Sequence, residues 1–67
     1  MPPKYYHFQG FISLMPGQHH DIKTNITAYS EKQAYLKLSF DLAPKLNMNS
    51  KQLYSLLRNS RSLKVRL

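Results

Sequence analysis

Sixty-seven residues suffice for one domain, and the absence of cysteine excludes disulfides and thiolate zinc sites. A chain this short buries only about 60% of the surface its unfolded form exposes. A single core then contributes ~3–5 kcal/mol, so folding rests on packing alone or on packing plus a second chain. Ten Lys and Arg against Asp21, Glu31 and Asp41 give a net charge of +7, while 42% hydrophobic content excludes the low-hydrophobicity signature of disorder.

The charge is unevenly spread. Lys4, Lys23, Lys32 and Lys37 nearly balance the three acids in residues 1–44, whereas residues 45–67 hold Lys45, Lys51, Arg58, Arg61, Lys64 and Arg66 and no acid. Such a field draws polyanions over a Debye length, and it also keeps a small domain soluble. Met1-Pro2-Pro3-Lys4 leads straight into Tyr5-Tyr6-His7-Phe8, without the basic, apolar and small-residue regions of a secretory leader. No apolar run approaches the roughly 20 residues of a membrane span. The expected location is cytoplasmic.

From Tyr5 to Leu14, residues Tyr6, Phe8, Ile12 and Leu14 alternate with Tyr5, His7, Gln9 and Ser13, the period of a half-buried strand. Gly10 falls on the apolar phase, where glycine marks a bulge or a close backbone approach; we expect the strand to bend around a helix there. Met15-Pro16-Gly17-Gln18 sets Pro before Gly as a type II turn requires, closing a hairpin. The second strand puts Ile22, Thr24, Ile26 and Ala28 on one phase and Lys23, Asn25 and Thr27 on the other.

Ser30 followed three residues later by Gln33, with Glu31 in the first turn, predicts a helix over 31–42 that Pro44 ends. Ala34, Tyr35, Leu38 and Leu42 form one stripe, and Leu36 and Phe40 a second beside it. A face that wide either sits between sheet and second helix or leaves Leu36 and Phe40 for a partner chain. Asn49 or Ser50 caps a second helix over 51–58 carrying Leu53, Leu56 and Leu57, and Asn59-Ser60 stops it. Over 62–67, Leu63, Val65 and Leu67 alternate with Lys64 and Arg66. The predicted fold is a single α+β domain over 1–67, in the order ββααβ, with two helices on one face of a three-stranded, mainly antiparallel sheet and no linker or repeat.

His19-His20-Asp21 is the one cluster of potential metal ligands. Adjacent histidines on an extended loop point apart and no further ligand follows at a set spacing, so no metal is expected. Asp21 lies on the hairpin, and Glu31 and Asp41 at opposite ends of one helix, so no two carboxylates share a substrate position. Phosphate-loop and dinucleotide spacings are absent, and a chain this short leaves little room for a deep pocket. Neither an enzyme nor a cofactor is expected.

Aligning the strand phases gathers a different constellation. With Tyr6, Phe8, Ile12, Leu14, Ile22, Ile26, Leu63, Val65 and Leu67 turned to the helices, Tyr5, His7, Phe11, Lys23, Lys64 and Arg66 share the open face. Rings interleaved with cations suit single-stranded nucleic acid, because bases stack on the rings while cations neutralise phosphates. The same rings would equally cover a thin sheet or pack against a second copy. Lys51 and Arg58, seven apart on the second helix, and Arg61 after it form a second basic element whose donors suit phosphates. No recognition helix follows the first helix.

The opening hairpin and the helix start Ala28-Tyr29-Ser30-Glu31-Lys32-Gln33-Ala34 are loosely similar to the opening of the archaeal ribosomal protein LX family. The likeness lies in the first half of the chain, on a capping pattern that many folds share, and the second helix departs from it.

Two functions fit these residues. One is a basic accessory or regulatory protein that docks on nucleic acid, RNA included, or on a ribonucleoprotein. The other is a protein–protein module, a small subunit, adaptor or inhibitor of a larger complex, that meets an acidic protein surface with Leu36 and Phe40 as anchors. A homodimer is compatible with either.

Overall fold

The first half of the chain is a long antiparallel hairpin, β1 (Lys4–Met15) and β2 (Gln18–Ala28), in a computed structural model that describes residues 2–67. Helix α1 (Glu31–Leu46), helix α2 (Ser50–Asn59) and strand β3 (Leu63–Arg66) follow. The sheet order is β2-β1-β3 with both pairings antiparallel, so β1 is central and the expected ββααβ fold is the one adopted. The 12 residues of β1, at about 3.4 Å each, account for the 41 Å long axis of the molecule.

Gly17 turns the hairpin with φ of 80°, the positive value that the Pro-Gly order anticipates. A register shift between Ser13 and Met15 leaves Leu14 as the extra residue of a bulge just before the turn. At Gly10 the ladder is continuous on both sides, to Ile22 and to Leu63. The close approach there comes not from a helix but from the backbone entering β3: a Cβ on Gly10 would lie 2.0 Å from the Ser62 carbonyl oxygen, and φ is 140°.

Ser30 caps α1 by accepting from the Gln33 N–H at 3.1 Å, while the Gln33 carboxamide reaches back to the N–H of Tyr29 at 2.6 Å. The helix does not stop before Pro44 but runs through it to Leu46. The Pro ring removes only the bond to the Phe40 carbonyl, on a face open to solvent. One turn later Asn47, at φ 54° and ψ 46°, closes the helix, with the Met48 N–H donating to the Ala43 carbonyl at 3.0 Å. The C-terminal closure thus outweighs the local preference of the residue before proline. Asn49 caps α2, its side chain accepting from the Lys51 N–H at 2.8 Å.

Phe8, Ile12, Leu38, Leu53 and Leu57 are fully buried between sheet and helices, with Tyr6, Ile22, Ala28, Ala34, Tyr35, Leu42 and Leu63 around them. Phe8 meets Tyr35 edge to face at 5.1 Å. Ser39, the one buried polar residue among those described, donates to the Leu36 carbonyl of its own helix at 2.7 Å. Leu67 departs from its expected place: the ladder ends at the His7–Arg66 pair, so Leu67 follows β3 unpaired and exposed. Among the described residues no helix is long and apolar enough to cross a membrane.

Candidate nucleic-acid interface

The odd-numbered residues of β1 carry the centre of the open face, because helices cover the even ones. Tyr5, His7, Gln9 and Phe11 run along β1, and the register sets their neighbours. Lys64 on β3, Gln9 on β1 and Lys23 on β2 form one row across the three strands; Arg66, His7 and Asn25 form the next. Tyr5 and Phe11 lie at the two ends, six residues or about 20 Å apart. All six residues assigned to this face from the sequence are exposed, Tyr5 most among the rings at 68% and Phe11 less at 37%.

Polar contacts hold parts of the face in place. The His7 Nδ1–H donates to Asn25 Oδ1 across the hairpin, which fixes the imidazole between Asn25 and Arg66. Phe11 is half-covered by His19, edge to face at 5.0 Å, and Ser13 hydrogen-bonds His19 Nδ1 at 3.3 Å. Asp21, opposite Phe11, is the one acid on this face. The ion pairs among the described residues are Lys45–Asp41 at 3.6 Å and Arg58–Glu31 at 4.0 Å, so Lys23, Lys64 and Arg66 have no carboxylate partner within the fold. An open depression of about 570 Å³ lies between Phe11, Gln9 and His7 on β1 and Lys64 and Arg66 on β3, and a smaller one of about 290 Å³ runs over toward Lys23.

The remaining sequence candidates lie elsewhere. Arg58 is on the helical layer, its guanidinium 5.0 Å above the Tyr35 ring and paired with Glu31. Burial pushes the Tyr35 phenol up from its ordinary pKa and the Glu31 carboxylate adds to this, with Arg58 acting in the opposite direction. Lys51 stands at the start of α2 beside Leu36, Phe40 and Tyr54, which line a separate groove of about 360 Å³ between the helices. Phe40 is 64% exposed there and Leu36 half-buried. Arg61 is exposed in the α2–β3 connection. The nine basic and aromatic candidates therefore divide into a sheet face of six and separate positions on or after α2.

Gln9 and Asn25, which complete the two cross-strand rows, were not singled out from the sequence, although both sit on the phase already assigned to the open face. For Tyr54 in the groove, the signal in the sequence is its spacing of three from Lys51 on α2. His19, His20 and Asp21 acquire no further ligand, and no group of three or more His, Cys, Asp or Glu converges among the described residues. No family model matches the chain, and comparison with curated proteins and with solved structures likewise finds no match.

Proposed function

We propose that the protein binds single-stranded nucleic acid, on its own or within a ribonucleoprotein, across the open face of its sheet, without catalysing a reaction. The observation that carries this reading is the pair of cross-strand rows, Lys64–Gln9–Lys23 and Arg66–His7–Asn25, bracketed by the exposed rings of Tyr5 and Phe11. Lys23, Lys64 and Arg66 are free to neutralise phosphates. Gln9, Asn25 and His7 supply donors and acceptors for base edges, and the rings supply stacking surfaces whose π-faces accept any base. The antiparallel ladder fixes all of these without a loop, so the surface is formed before a ligand arrives.

Fluorescence anisotropy of labelled single-stranded RNA, single-stranded DNA and duplex DNA tests the reading. With three phosphates neutralised by these cations, affinity for a single strand falls about 20-fold between 50 and 200 mM salt. Lys64→Glu with Arg66→Glu abolishes binding while the circular dichroism spectrum is unchanged, and Phe40→Ala leaves binding intact. Binding that survives the double reversal, or that prefers duplex over single strands, would overturn the proposal.

The groove around Phe40 supports a second reading, a protein contact, through its exposed ring and the half-buried Leu36 beside it. Under that reading Phe40→Ala abolishes partner binding, and the sheet-face reversals only slow association.

A further inference from the structure

Strand β2 lies at the edge of the sheet, with β1 on one side and, among the described residues, no strand on the other. Which of its backbone groups face outward follows from two contacts. The Phe11 N–H donates to the Ser62 carbonyl at 3.3 Å, so the odd residues of β1 bond toward β3 and its even residues toward β2. By the register, the even residues of β2 bond back to β1, and the odd residues point their N–H and C=O groups away from the sheet. The second contact agrees: Lys37 Nζ donates to the outward carbonyl of Thr27 at 2.7 Å. That lysine closes one end of the edge and the hairpin turn closes the other. Between them His19, Asp21, Lys23 and Asn25 present unpaired backbone donors and acceptors, and the centre of this run is Ile22.

A lone lysine on an edge strand discourages pairing with another chain. Here Lys23 has Asp21 two residues away on the same face, and that arrangement discriminates among registers. In an antiparallel pair of two β2 strands with the two-fold axis at Ile22, Asp21 stands opposite Lys23 of a second copy, and Lys23 opposite its Asp21. Moving the axis to residue 21 or 23 sets Asp21 against Asp21 or Lys23 against Lys23. The centre of the free edge and the charge pattern therefore select the same register.

We infer that the protein forms a homodimer through antiparallel β2–β2 pairing about Ile22, the occupant of this edge being a second copy of the chain. The backbone pairs are His19 with Asn25 and Asp21 with Lys23, each made twice by symmetry. The result is a six-stranded sheet. Odd residues pair with odd ones, so the open faces of both copies lie on the same side, and the Lys64–Gln9–Lys23 row of one copy runs on into Asp21 and Phe11 of the other. This inference reads only the edge, and it shares Lys23 with the nucleic-acid proposal: in the dimer Lys23 meets Asp21 of the second copy, which leaves Lys64 and Arg66 as the cations of each open face without a carboxylate opposite them.

Sedimentation equilibrium across the micromolar range, at salt near 0.15 M, tests it. The native protein is a dimer there. Asp21→Lys and Lys23→Asp each set two like-charge pairs across the junction and weaken the dimer about tenfold or more. The two substitutions together restore the opposite-charge pairs and recover it. Asn25→Pro removes an outward N–H, as an edge strand tolerates, and yields a folded monomer by circular dichroism. A native protein that is monomeric throughout the range overturns the inference. So does a dimer indifferent to Asn25→Pro, or one whose single reversals are not rescued by the double.

Discussion

Gly10 shows how one side chain, or the lack of one, sets the third strand in place. The Ser62 carbonyl occupies the position a Cβ would take, and φ at Gly10 lies where side chains are strained. Gly10→Ala must therefore either displace the entry to β3 or strain the central strand, and it is expected to cost about 3 kcal/mol or more in chemical denaturation. At Tyr35 the consequence is a pH dependence. Its raised pKa means that the phenol is neutral in both folded and unfolded chains below about pH 10, so its contribution to stability is constant there. Above that the unfolded chain ionises first, and stability falls as pH rises toward the folded-state pKa. Tyr35→Phe keeps the ring against Phe8 and under Arg58 while removing the titration, so its alkaline loss of stability should be smaller than the native protein's in pH-dependent thermal melts.

At the level of elements, the hairpin, both caps and the inward phase of each strand were legible because the signals are local. Alternation fixes a strand face within a few residues, and a cap is a contact between residues two or three apart. Three features were not legible, and each depends on something distant or cooperative. The approach to Gly10 comes from Ser62, more than fifty residues away in sequence. Leu67 keeps the phase of Leu63 and Val65, yet phase cannot say where a ladder ends. Pro44 is the clearest case: the residue before it should leave the helix, but Asn47 in a left-handed conformation and the Met48–Ala43 bond secure one more turn. The last turn then carries a residue that contributes no N–H to it. Pro44→Ala restores a donor for the Phe40 carbonyl and should stabilise the protein by about 1–2 kcal/mol, read as a raised denaturant midpoint at unchanged m-value.

On the scale of the whole molecule, sequence periodicity assembled the open face but could not divide the basic residues between layers. Lys51, Arg58 and Arg61 share a charge sign with Lys64 and Arg66, and only the packing of two helices on the far side of the sheet separates them. That separation makes the two parts of the binding surface distinguishable by experiment. Phosphate contacts release counterions and so control the salt dependence, whereas stacking on a ring does not. Lys64→Ala with Arg66→Ala removes two such contacts and should flatten the slope of log K against log salt by about 1.4 for a single strand. Tyr5→Ala should leave that slope unchanged and lower affinity at every salt concentration, by about 1–3 kcal/mol for the base that loses its ring. Arg58→Ala should change neither, because its guanidinium is engaged with Tyr35 and Glu31 on the helical layer; its effect belongs to thermal stability, at about 0.5–1 kcal/mol. Anisotropy titrations of these variants over a salt series measure slope and intercept together. A flattened slope in the arginine variant of α2, with none in the sheet-face pair, would transfer the interface from the sheet to the helices.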